Sequence, residues 1–195
     1  MVLVTIVEEI DILRQSLIKA PIIWKGDYPY FIHPITDGVP RLEPRVLQAI
    51  IELSVPLIDW DNIDVILGIE AMGLPLTAPL SMRTNIPMVI ARKRQYGLQG
   101  EVEINQKTGY SNGSIFLNDI KPGERIAIID DVLSTGGTIR SVIEGVHKTG
   151  AVIHNIVVVV EKGTGMENLQ NEYPNIKFDS LVKLEMDREK VVILN

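Results

Sequence analysis

The chain has 195 residues, 46% of them hydrophobic and 23% charged, with a formal net charge of −6. That composition excludes a disordered polypeptide and fits one folded domain with a full core. Cysteine is absent, which rules out disulfides, thiolate metal sites and cysteine nucleophiles, and the net acidity speaks against nucleic-acid partners.

In chain order, charge enters the opening "MVLVTIVEEIDILRQ" too early for a secretory signal core. No stretch reaches the roughly 18 to 20 apolar residues of a membrane span. A cytoplasmic protein with no membrane partner is expected. Ile6, Ile10, Leu13 and Leu17 predict an amphipathic helix over 4–19. Residues 20–40, rich in proline and aromatics, read as an ordered loop region, with Trp24, Tyr28, Tyr30 and Phe31 assigned to core packing. Pro44 then opens a helix whose apolar face carries Val46, Leu47, Ile50 and Leu53.

From there the chain alternates. Residues 63–70, 86–93, 125–132 and 153–162 are dense apolar runs of buried-strand type, and Ile139, Val142, Ile143 and Val146 mark a helix between the last two. This βαβ pattern implies an α/β fold with a mostly parallel twisted sheet flanked by helices. The polar, glycine-containing segment 94–113 interrupts the alternation and predicts a mobile excursion or hairpin. The tail predicts one or two further strands. His33, His147 and His154 lack metal-ligand spacing and receive no role.

The chemistry concentrates in "IAIIDDVLSTGGT", residues 126–138. A buried strand ends in Asp130 and Asp131, then passes through Ser134, Thr135, Gly136, Gly137 and Thr138 into a helix. Small residues at a helix N-terminus let a phosphate approach unpaired N–H groups. Adjacent carboxylates repel phosphate but accept hydroxyl donors or hold Mg²⁺, directly or through water. A ligand with a phosphate beside a vicinal diol, such as ribose 5-phosphate, satisfies both halves. Neither a G-x-x-x-x-G-K-[ST] nor a strand-following G-x-G-x-x-G occurs.

This string resembles the 5-phosphoribosyl-1-pyrophosphate (PRPP) binding signature of the type I phosphoribosyltransferases. The resemblance implies that fold, with a flexible loop near 94–113 and a small hood from residues 20–40 and 161–195, all within one domain spanning 1–195. It places the ribose hydroxyls on Asp130 and Asp131, the catalytic pair, and the 5′-phosphate on Ser134 through Thr138. "GIEAMG" is similar to the pyrophosphate loop of purine salvage enzymes, which implies PRPP contacts at Glu70, Ala71, Met72 and Gly73, with Met72 standing where an arginine is common. "ARKRQYGLQGE" resembles the opening of the closing loop of adenine enzymes and assigns Arg92 and Lys93 to the pyrophosphate, with Arg94 beside them. The catalytic glutamate of those enzymes falls near Gln106. "VVVVEKGTG" resembles the base-side strand of 6-oxopurine enzymes and assigns Lys162 to the base, since an ammonium donates to O6 and cannot accept from an adenine amino group.

The whole set looks most like hypoxanthine/guanine phosphoribosyltransferases of archaeal type. It implies transfer from PRPP to hypoxanthine or guanine, giving IMP or GMP and pyrophosphate, with Mg²⁺ at Asp130 and Asp131 and a homodimer. Adenine transfer is the alternative within the family. A regulator that binds PRPP or nucleotide without turnover is the alternative outside it.

Overall fold

The computed structural model describes residues 2–26, 28–107, 112–187 and 190–194; the side chains of 2–5, 25, 28, 106, 107 and 112 lie outside that description. An opening helix α1 (Val2–Ile18) leads into a hairpin of β1 (Ile22–Lys25) and β2 (Tyr28–Phe31), then a one-turn helix α2 (Pro34–Asp37) and α3 (Pro44–Ser54). The core follows as β3 (Val65–Ile69), α4 (Leu74–Thr84) and β4 (Met88–Ala91). A second hairpin, β5 (Val102–Lys107) and β6 (Asn112–Leu117), precedes β7 (Arg125–Leu133), α5 (Gly137–Thr149) and β8 (Val152–Lys162). The chain closes with α6 (Gly165–Glu172), β9 (Lys177–Asp187) and β10 (Lys190–Ile193).

Six strands form the central sheet in the order β10-β9-β8-β7-β3-β4. All neighbours pair in parallel except β9 with β10, as the βαβ alternation predicts. Alternate residues of β7 serve opposite faces. Ile126 and Ile128 pack with Val142, Ile143 and Val146 of α5, whereas Ala127 and Ile129 pack with Ile50, Leu76 and Leu80 of α3 and α4. Each fully buried aliphatic side chain of this kind contributes about 1.5–3 kcal/mol. The two-sided packing therefore fixes the register of the strand that ends at the acid pair. Among the described residues no helix is long and apolar enough to cross a membrane.

Two expectations are corrected, for residues 20–40 and for Trp24. Residues 20–40 are not an irregular loop: β1 and β2 pair antiparallel from Ile22 opposite Phe31 to Lys25 opposite Tyr28, and α2 follows. The prolines hid the hairpin, because Pro29 sits where a strand edge tolerates it. For 94–113 the hairpin alternative holds. The second half of the segment is a hairpin that runs on to Leu117, and its base is core: Ile104, Ile115 and Leu117 are each 1% exposed. A Cβ on Gly145 of α5 would overlap the Ile104 side chain, so glycine there lets the hairpin lie flat on the helix. The aromatic residues divide as well: Phe31 is buried, but Trp24 is exposed and does not join the core; the Tyr28 side chain lies outside the described residues. Residues 177–193 supply the two strands expected of the tail and extend the central sheet.

Candidate active site

Asp130 and Asp131 are buried at the carboxyl end of β7, where open parallel sheets collect ligands. Loss of solvation raises both carboxyls. Asp131 is pushed up to about 6, and Asp130 stands well above the usual carboxylate range through burial and then through the charge of Asp131. They are therefore no solvated acidic pair but two buried carboxyls hydrogen-bonded to one another and to the Asp131 and Val132 backbone. Nearby, the positive charge of Lys93 acts on Asp130 in the opposite sense.

The turn after β7 is built from backbone. Gly136 adopts φ +79° and caps α5 without a side-chain hydrogen bond, which leaves the first-turn N–H groups of α5 free of a side-chain cap. A second turn braces it from behind. The Gly165 N–H donates to the Ser134 carbonyl at 3.1 Å, and Leu169 of α6 lies 3.0 Å from where a Cβ on Gly136 would stand. Sequence reasoning missed this brace because α6 is remote from the signature in the chain.

Facing the acid pair, the β3–α4 connection runs through Glu70, Ala71, Met72 and Gly73, with a cis peptide between Glu70 and Ala71. Only glycine fits at 73: a Cβ would come within 2.6–2.9 Å of the backbone of Ile69 and Ile129. The Glu70 carboxylate accepts the Lys93 N–H at 2.9 Å and lies 3.3 Å from Arg92 Nε. It thereby ties the pyrophosphate-type loop to the basic segment. Beyond that segment, the Arg92 and Arg94 guanidiniums lie 5.9 and 5.7 Å from the Tyr96 ring, and Glu101 accepts the Tyr96 and Gly97 N–H groups at 2.9 and 3.1 Å. Residues 92–101 are thus an ordered bend. Gln106 lies opposite Gly113 in the hairpin, and its side chain is outside the described residues.

A cleft of 360 Å³ gathers Glu70, Ala71, Met72, Lys93, Asp130, Asp131 and Thr138. Gly73, Arg92 and the Ser134–Gly137 turn sit behind or beside it, and Lys162 ends the neighbouring strand, its Nζ 6.0 Å from the Phe31 ring centroid. Two further residues close the cleft from α2: Thr36 and Asp37. The Asp37 carboxylate accepts from Tyr30 Oη at 2.7 Å, Thr36 Oγ1 at 2.6 Å and the His33 N–H at 3.0 Å. His33 Nδ1 accepts from the Ile35 N–H to cap α2, and burial lowers its pKa to about 4. The only hint in the sequence was the turn-forming pair Asp37-Gly38; Gly38 takes φ +71° and rests on Met72, whose sulfur lies 3.3 Å from where a Cβ would stand.

Comparison with known proteins identifies the family. The phosphoribosyl transferase domain model matches residues 42–187. Hypoxanthine/guanine phosphoribosyltransferase of Methanocella paludicola is 48% identical over 182 residues, which is 93% of this chain and 94% of that protein. The protein of the same name from Methanohalophilus mahii is 46% identical over 185 residues, 95% of this chain and 96% of its own. Among solved structures, adenine phosphoribosyltransferase of Rhodothermus marinus superimposes with a TM-score of 0.70 at 23% identity, covering 91% of this chain and 99% of that one. At that identity the likeness is one of fold.

Proposed function

The chain belongs to the phosphoribosyl transferase domain family, and from that premise we propose that it transfers the phosphoribosyl group of PRPP to hypoxanthine or guanine. The products are IMP or GMP and pyrophosphate. The carrying observation is the single cleft that joins the buried Asp130–Asp131 pair to the Glu70–Met72 loop, with the uncapped start of α5 at its edge.

In this reading the 5′-phosphate lies on the N-terminus of α5, held by the Ser134–Thr138 turn. The 2′ and 3′ hydroxyls of the ribose donate to Asp130 and Asp131, which satisfies the carboxyls that burial leaves costly. The pyrophosphate lies on Glu70–Gly73 backbone, near Lys93 and Arg92. The bond from ribose C1 to the pyrophosphate oxygen breaks, and the pyrophosphate leaves with the electron pair. A new bond forms from purine N9 to C1, and the N9 proton passes to solvent. The loop at 94–113 shields the cationic ribose from water. Lys162 donates to the exocyclic O6.

Among the described residues no three His, Asp or Glu side chains form a metal-holding group. Two adjacent carboxyls suit a Mg²⁺ that takes its other ligands from substrate oxygens and water. Asp130 and Asp131 would hold it, and when bound it neutralises charge on the leaving pyrophosphate. The proposal includes one domain over residues 1–195, with a hood drawn from residues 20–40 and 161–195, a homodimer and a cytoplasmic location.

The test is pyrophosphate release by the purified protein with PRPP and Mg²⁺, with hypoxanthine, guanine, xanthine or adenine supplied separately. Release with hypoxanthine or guanine is expected. Adenine-only release overturns the choice of base, and PRPP binding without turnover on any base makes the protein a binding regulator.

A further inference from the structure

The transferase reading leaves Asp37 without a task, although it lines the same cleft as Asp130 and Asp131. Its position is built with more care than a surface carboxylate requires. Oδ2 accepts from both the Thr36 hydroxyl and the His33 N–H, which fixes the plane of the group. Oδ1 accepts from Tyr30 Oη at 2.7 Å, and a carboxylate oxygen has room for two donors. Helix α2 carries Asp37 as its last residue, and the left-handed turn at Gly38 seats it against Met72.

A third carboxylate beside a buried acid pair is electrostatically unfavourable, and its charge indeed acts on Asp131. Tyr30, Thr36 and the His33 N–H hold the carboxylate in place, and a ligand that brings a further donor would stabilise its charge at the cleft. The ribose hydroxyls are already matched to the acid pair, so the donor comes from the base. The same strand connects Asp37 to the other base-side group: Tyr30 of β2 donates to Asp37, and the adjacent Phe31 ring lies under Lys162 Nζ. A cation and an anion therefore flank one hairpin.

We propose that Asp37 is a specificity-determining residue that accepts the N1–H of a 6-oxopurine while Lys162 donates to O6. This inference rests on the transferase reading above. Hypoxanthine and guanine present O6 as acceptor beside N1–H as donor, and adenine presents the reverse pair. A carboxylate facing N1 thus attracts the first two and repels the lone pair of the third. Guanine adds a 2-amino donor on the same edge. Sites built to hydrogen-bond a substrate group reject analogues that lack it far more strongly than apolar pockets do.

The experiment compares kcat/KM for hypoxanthine and for adenine, together with PRPP affinity, in the wild type, Asp37→Asn and Tyr30→Phe. Asp37→Asn should lower the hypoxanthine-to-adenine ratio by about 10- to 100-fold, the worth of a hydrogen bond to a charged acceptor, with PRPP affinity within about twofold of wild type. Tyr30→Phe, which only loosens the carboxylate, should move the ratio the same way by a smaller factor. If Asp37→Asn does not fold, the Tyr30→Phe ratio decides alone. An unchanged ratio in an active enzyme overturns the assignment, as does a ratio change accompanied by a tenfold loss of PRPP affinity, which would place Asp37 on the ribose. A wild type that uses neither hypoxanthine nor guanine defeats the 6-oxopurine reading itself, and this proposal with it.

Discussion

Gly165 and Ser134 are joined across the top of the sheet: the Gly165 N–H donates to the Ser134 carbonyl at 3.1 Å, and no Cβ fits between them. The turn that follows β8 therefore supports the turn that follows β7. Gly165→Ala would push on backbone atoms of Ser134, Thr135 and Gly136, which have no flexible end to move aside. We expect a stability loss of about 1–3 kcal/mol from overpacking and a higher KM for PRPP, with purine selectivity unchanged. Urea unfolding and steady-state kinetics on the variant measure both.

Asp131→Asn should separate stability from binding. Its carboxyl titrates at about 6 in the fold against 3.8 ordinarily, so at pH 7.5 the ionised, desolvated group costs about 3 kcal/mol. Removing the charge should raise the Tm of the ligand-free protein at pH 7.5 and leave it little changed at pH 4. The same change should weaken PRPP binding about 10- to 100-fold. Thermal scans with and without PRPP distinguish these effects, and a variant that binds PRPP like the wild type would remove Asp131 from the ribose site.

The pH profile carries two opposing slopes. For Asp131 the folded pKa is raised, so its stabilising effect is present below about 3.8 and is lost as pH rises through about 6. Asp130, whose carboxyl burial also raises, adds to the same direction. For His33 the folded pKa is lowered from 6.5 to about 4, so the unfolded chain takes up the proton first, and stability falls as pH drops through this range. Between pH 4 and 6 the two offset one another. His33→Asn, which retains a capping acceptor for α2, should therefore lose stability as pH rises across that range, whereas Asp131→Asn should gain it. Urea midpoints at four pH values from 4 to 7 report the slopes, and parallel slopes in the two variants would contradict the assignment.

Lys162→Ala tests the base-side cation by itself. Loss of a charge-assisted donor to O6 should reduce kcat/KM for hypoxanthine about 10- to 100-fold and affect adenine much less. Competing both purines in one reaction reads the change directly. Equal losses for the two bases would take Lys162 out of base recognition.

Much of the site was legible because its parts are contiguous. The runs at 125–132 and 153–162 are apolar enough to be buried on both faces, so their strand character and their parallel order do not depend on distant residues. The Asp130–Thr138 stretch combines acids, hydroxyls and glycines in one turn, and its chemistry follows from residue type. Glu70 through Gly73 was readable for the same reason. The hairpin at 102–117 was legible as one of two readings of 94–113, but its seat was not, since the packing of Ile104 against Gly145 joins residues far apart in the chain.

What the sequence by itself determined is the α/β frame, the central strands as elements and the small-residue turn after the acid pair, because periodicity and small residues act over a few neighbouring positions. The tertiary structure alone decided that the acid pair is buried, that Gly165 and Leu169 brace the turn, that Glu70 holds Lys93 and Arg92, and that Asp37 enters the cleft. Each of these joins elements distant in the chain. Desolvation and hydrogen-bond geometry arise only when the folded chain brings such elements within a few ångströms, and no local pattern records that.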